Sequence, residues 1–160
     1  MKKTNAMRLL DQAGISYHTR SYAYDPDDLS GQKAARALEL PEENVYKTLV
    51  VNGLQSGFLV CCLAADRELD LKRVAALSHN KRVEMIPVSQ IQPLTGYMRG
   101  GCSPLAMKKK FPTYVDSAVM SCDLIAVSAG QRGLQIIISP QDLIKATDAR
   151  VAEISQKQNI

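Results

Sequence analysis

Val45-Tyr46-Lys47-Thr48-Leu49-Val50-Val51, followed by Asn52-Gly53, Gly57 and the run Phe58 to Ala65, is the stretch that decides the fold. Its first segment has apolar residues at both parities, which predicts a strand buried on both faces. Asn52-Gly53 and Gly57 mark a turn, so Phe58 to Ala65 returns as the partner strand of an antiparallel hairpin. Such a hairpin must be covered on two sides, and the remaining chain has to supply the cover.

Before the hairpin, Thr4 caps a helix with Ala6, Leu9, Leu10 and Ala13 on one face, and Gly14 ends it. Ile15 to Tyr22 alternates and reads as a strand, broken by Asp25-Pro26-Asp27-Asp28. A short helix spans Gly31 to Leu38 and stops before Pro41. After the hairpin, Asp70 caps a helix through Leu77, Arg82 to Pro87 is a short strand, and Ser89 to Leu94 is a single helical turn. The stretch from Gly96 to Pro104 is irregular, with three glycines, and Lys108-Lys109-Lys110 follows it. Thr113 to Asp116, Leu124 to Ser128 and Leu134 to Ser139 read as strands, the last two joined by Ala129-Gly130-Gln131-Arg132-Gly133. Ser139-Pro140 opens a final helix, with Leu143, Ile144, Val151 and Ile154 as its apolar face and a frayed tail from Gln156 to Ile160. Strands joined by short turns outnumber βαβ units, which predicts an α+β fold on a mixed, largely antiparallel sheet. No repeat or linker interrupts the chain, so residues 1–160 are expected to form a single domain.

Composition narrows the function. The 160 residues are 46% hydrophobic and 22% charged, which excludes disorder as the main state. No apolar run reaches the roughly 18 residues that a membrane span takes. The N-terminal segment is amphipathic rather than signal-like, so a cytoplasmic protein without membrane contact is expected. A formal charge of +4 permits a polyanionic substrate without marking a tight duplex-DNA binder. With 5% aromatic residues and no Trp, a stacking platform for single strands is poorly supported. Cys61, Cys62, Cys102 and Cys122 form no CxxC pair, and His18 and His79 lie far apart, so spacing gives no zinc site. Reduced thiols are expected, with Cys61 and Cys62 in the core.

Three features could carry chemistry. Lys47 shares strand parity with Val45, Leu49 and Val51, so its ammonium points at an apolar environment or its edge. It either snorkels to solvent or holds a carbonyl, phosphate or ribose oxygen in a pocket. Gly100 and Gly101 either make a turn with demanding backbone angles or aim N–H donors at a ligand. Ser128, with Gly130 and Gly133, either ends a strand before a hairpin or faces a site. Lys108 to Lys110 are a solvated face or a phosphate contact. Cys102 carries no mark of an activated thiolate. No GxGxxG, P-loop or histidine-containing triad is present.

In order, Val45-Tyr46-Lys47-Thr48-Leu49, Leu69 to Ala75, Thr95 to Leu105 and Val127 to Leu134 resemble the YbaK/EbsC family of aminoacyl-tRNA editing domains. These are relatives of the insertion domain of bacterial prolyl-tRNA synthetase. The resemblance covers nearly the whole chain. It implies a barrel-like sheet surrounded by helices and hydrolysis of the ester joining a wrong amino acid to the terminal adenosine of tRNA. It further implies action in trans, most directly on Cys-tRNA(Pro), often with prolyl-tRNA synthetase as partner and with no metal or organic cofactor. By resemblance Lys47 holds the substrate near the scissile ester. Tyr22, Ser30, Thr48, Gly100, Gly101, Ser128 and Gln135 line the binding pocket. In cysteine-specific relatives the substrate's own thiol attacks its carbonyl and displaces the tRNA as a cyclic thioester, so no enzyme nucleophile is needed.

The chain departs from the family at three positions. Ser30, preceded by Leu29, stands where an aromatic residue precedes the glycine matching Gly31. Gln135 stands in place of an acidic residue, and Cys102 in place of an aliphatic one. The first two put the edited amino acid in question. The alternatives are a deacylase for alanine or serine, and a non-catalytic module that binds tRNA or a synthetase. Oligomeric state is not encoded in any of these features.

Overall fold

The central hairpin pairs over its full length. A computed structural model describes residues 2–158. In it β2 (Tyr46–Gly53) and β3 (Gly57–Ala64) are antiparallel, from Tyr46 opposite Ala64 to Gly53 opposite Gly57. They form the middle of a five-stranded sheet. β5 (Val83–Met85) pairs antiparallel with β2, while β6 (Thr113–Asp116) and β9 (Arg150–Ala152) extend the other side in parallel. A second, antiparallel sheet has the order β1 (His18–Ser21), β8 (Leu134–Ile138), β7 (Ile125–Ser128). A two-stranded ladder joins β4 (Arg67–Leu69) to β10 (Ser155–Lys157).

The two larger sheets pack face to face. Tyr46, Val50, Val60 and Cys62 meet Ile125, Val127, Ile136 and Ile138, closed at the ends by Leu10 of α1 (Asn5–Gln12) and Leu143 of α5 (Pro140–Thr147). The opposite parity of the hairpin, Val51, Leu59 and Cys61, is covered by Val74 and Ala75 of α3 (Leu71–Leu77), with Tyr114 and Ile154. Both faces of the hairpin are thus covered over most of their length, which explains why its sequence does not alternate. A smaller cluster of Ala35, Val45, Ala65 and Ala126 seats α2 (Gly31–Leu38) where a parallel bridge joins Val45 to Ala126.

The expected barrel-like closure is not present. β5 and β9 are the edges of an open sheet, each three residues long, and none of the described strands bridges them. After β9 the chain turns away and pairs β10 with β4 instead. The last helix is also shorter than its apolar pattern suggests. Asp148, at φ 55°, ends it in the left-handed region, so Val151 falls in β9 and Ile154 is buried after it. Gln156 and Lys157, expected to fray, lie in β10, and positions 159 and 160 of that tail lie outside the described residues. Strand β1 begins at His18 rather than Ile15. The single turn expected at Ser89 is an eight-residue helix, α4 (Val88–Thr95), which contains Pro93. No described helix is long and apolar enough to cross a membrane.

Candidate active site

Lys47 leaves β2 on the parity of Val45 and runs beside the start of α2. Ser30 caps that helix, its Oγ accepting the Lys33 N–H at 3.2 Å. Gly31 follows because nothing larger fits: a Cβ there would stand 2.9 Å from Ala65 Cβ. Lys47 is half-buried, and its Nζ donates to the Arg67 carbonyl. Burial pushes its pKa below the ordinary lysine value, and the nearby Asp66 and Glu68 carboxylates oppose that shift. Thr48 takes the other parity, with Oγ1 3.9 Å from Cys62 Sγ.

The facing wall is the β7–β8 hairpin and the glycine loop that crosses it. Ser128 is buried; its hydroxyl donates to the Gly101 carbonyl at 2.9 Å and accepts the Gly130 N–H at 3.1 Å. Gly101 also donates its N–H to the Met98 carbonyl at 2.9 Å. Both of its backbone groups are therefore occupied, and it lies against the backbone of Gln131 and Arg132. Gly100, at φ +83°, turns the loop so that it faces Leu29 across the opening. Among the described residues its N–H has no hydrogen-bond partner. Gln135 in β8 is only 6% exposed, and its carboxamide oxygen has no partner among the described residues.

These walls enclose a cavity of about 330 Å³. Every site residue expected from sequence lines it except Gly101, which holds the loop from behind. Arg99, in the irregular loop, lines it too; the sequence gives it no mark as a site residue. Cys102 is a lining residue, but burial pushes its thiol up to about 11, so it stays protonated at neutral pH. A larger cavity of about 880 Å³ lies elsewhere, beside Arg20, Asp66, Arg67 and Cys122, and contains none of the expected site residues. Among the described residues no three His, Cys, Asp or Glu side chains gather as a metal site requires.

Among the described residues the arrangement offers a half-buried cation, an unpaired backbone donor and an unpaired buried acceptor, with no nucleophile–base pair. It suits a substrate that is already activated and needs orientation more than attack by the enzyme.

The family model for the aminoacyl-tRNA editing domain matches residues 26–146. The chain belongs to the aminoacyl-tRNA editing domain family. A candidate Cys-tRNA(Pro)/Cys-tRNA(Cys) deacylase of Enterococcus faecalis, EbsC, is 41% identical over 157 residues, covering 98% of this chain and 96% of that protein. A crystal structure of a candidate trans-editing enzyme for prolyl-tRNA synthetase superposes with a TM-score of 0.84 at 20% identity, covering 98% of this chain and 99% of the other. A hypothetical protein of known crystal structure superposes with a TM-score of 0.87 at 23% identity, covering 96% and 100%. The two structural likenesses concern the fold alone. As a member of an editing family, the chain takes aminoacylated tRNA as its substrate.

Proposed function

We propose that the chain is a trans-acting deacylase that removes cysteine from mischarged proline tRNA, with Lys47 as its central residue. The observation that carries this reading is the gathering of Lys47, Gly100, Ser128 and Gln135 around one small cavity in an editing-family chain. The relative's name supplies the amino acid and gives tRNA(Pro) and tRNA(Cys) as its carriers, of which tRNA(Pro) is the mischarged one.

In this reading the Lys47 ammonium faces the ester and the ribose oxygens. The Gly100 N–H is the free donor for the developing oxyanion, a contact whose loss costs about a hundredfold or more in comparable sites. Gln135 accepts a hydrogen bond from the substrate's amino group, which satisfies an otherwise unpaired buried oxygen. Tyr22, Ser30 and Thr48 complete the walls. Ser128 is not the nucleophile, since its proton is committed to the Gly101 carbonyl. The attacking group is the substrate's own sulfur. A carbon–sulfur bond forms at the aminoacyl carbonyl, the carbon–oxygen bond to ribose breaks, and the thiol proton ends on the ribose oxygen. The amino acid leaves as a cyclic thioester that water opens afterwards.

We assign residues 1–160 to one domain acting in the cytoplasm, beside prolyl-tRNA synthetase. The test is deacylation of Cys-tRNA(Pro), Ala-tRNA(Pro) and Ser-tRNA side by side. Cysteine release alone supports the reading. Release of alanine or serine alone reassigns the pocket to that amino acid. Binding without release of any makes the chain a binding module.

A further inference from the structure

Asp116 ends β6 and is only 2% exposed. A buried charge is tolerated only when its hydrogen bonds are met. Both oxygens are filled from the C-terminal segment: Oδ1 accepts the Ile154 N–H at 3.0 Å and Oδ2 the Ser155 hydroxyl at 2.7 Å. Ser155 Oγ in turn accepts from Arg67 Nε at 3.0 Å, and Arg67 Nη2 donates to the Ser155 carbonyl at 3.2 Å. The guanidinium is thus held at two atoms, while the carbonyl of the same Arg67 accepts from Lys47 Nζ. Hydrogen bonds thus tie the core carboxylate to the Arg67 guanidinium, and the Arg67 side chain links that anchor covalently to the carbonyl that holds the cation of the candidate site.

We propose that Asp116, Ser155 and Arg67 are positioning residues that fix the Lys47 ammonium for the deacylation step. The inference rests on the reading of Lys47 given above. A lysine side chain has four torsions, and a free one spreads its charge over many rotamers. Here one acceptor, anchored through Arg67 to the buried end of β6, selects a single placement. Misplacing a reacting group by about 1 Å can cost a hundredfold in rate. Asp116, Ser155 and Arg67 do not line the candidate cavity, so their removal should slow turnover without weakening substrate binding.

The experiment measures kcat and KM for Cys-tRNA(Pro) with Ser155→Ala, Ser155→Thr, Arg67→Met and Lys47→Ala, alongside thermal unfolding of each. Ser155→Ala and Arg67→Met are expected to lower kcat by about tenfold with KM within about twofold, and Ser155→Thr, which keeps the hydroxyl, to recover most of the loss. Should Ser155→Ala fail to fold, Arg67→Met leaves the Asp116–Ser155 bond in place and carries the test. Unchanged kcat in variants that are merely less stable, or a change confined to KM, overturns the relay. If Lys47→Ala itself turns over normally, the reading of Lys47 fails and the relay falls with it. If only Lys47→Ala is impaired, the relay alone is wrong.

Discussion

Lys47 is a cation kept where cations are costly, and that gives it a measurable signature. Burial disfavours its charged form more than Asp66 and Glu68 restore it, so its pKa lies below the ordinary lysine value. If the ammonium is the active form, kcat/KM falls on the alkaline side as Lys47 loses its proton, and it does so below the usual lysine range. A pH–rate profile corrected for spontaneous ester hydrolysis checks this; a profile flat through that range contradicts it. Cys102 gives the opposite expectation. Its thiol, raised to about 11, is neutral at working pH, so Cys102→Ala keeps activity within about twofold. Parity marked Lys47 in the sequence as a charged position in an apolar strand, but it left snorkelling open, and only the family resemblance pointed to a role at the substrate. Gln135 was legible only as a departure from the family pattern. Its unpaired oxygen comes from the way β8 presents it to the cavity.

At the scale of elements, the glycine loop and the β7–β8 hairpin behave as one unit, joined by Ser128 and by close backbone packing. A Cβ on Gly101 would lie 3.1 Å from backbone atoms of Gln131 and Arg132, which cannot swing aside as a side chain can. Gly101→Ala is therefore expected to cost about 1–3 kcal/mol and to lower kcat as the loop lifts away. Denaturant unfolding and steady-state rates check both parts, and a variant as stable and active as the parent contradicts them. Helix starts were the most legible elements. Thr4, Asp70 and Ser139, read as caps in the sequence, each accept the N–H three residues on, a bond set by local sequence; Ser30 does the same for α2 and was not read as a cap. The C-terminal strands were not legible. Val151 and Ile154 fit a helical period, but the left-handed Asp148 ends the helix and pairing with distant β6 and β4 makes strands of the segment that follows. The residues proposed to position Lys47 belong to these non-local pairings, which is why no local pattern exposes Asp116, Ser155 or Arg67.

At the scale of the molecule, the candidate cavity continues into a groove lined by basic residues. A groove of about 650 Å³ along α4 meets the cavity at Val88 and Arg99; Lys108 lines it and no acidic side chain does. The cleft on the other side, by Tyr22 and Leu29, sets Asp25 and Asp28 beside Lys33 and Arg132, so its charges balance. The phosphates of the tRNA end are expected to follow the basic groove. Lys108→Glu should raise KM for aminoacyl-tRNA several-fold and reduce the salt dependence of binding by about one unit of slope. An aminoacyl ester of adenosine alone, too short to reach Lys108, should show no change. Equal effects on both substrates contradict this path. Net charge and the lysine run were legible in the sequence; the loop and helix geometry that brings Arg99 and Lys108 to one groove was not.

The most direct test of the account is the deacylation rate of Cys-tRNA(Pro) by the parent chain and by Lys47→Ala, with folding of both verified by thermal unfolding. The account predicts release of cysteine by the parent and a loss of about tenfold or more in a folded Lys47→Ala. Equal rates in the two would contradict it.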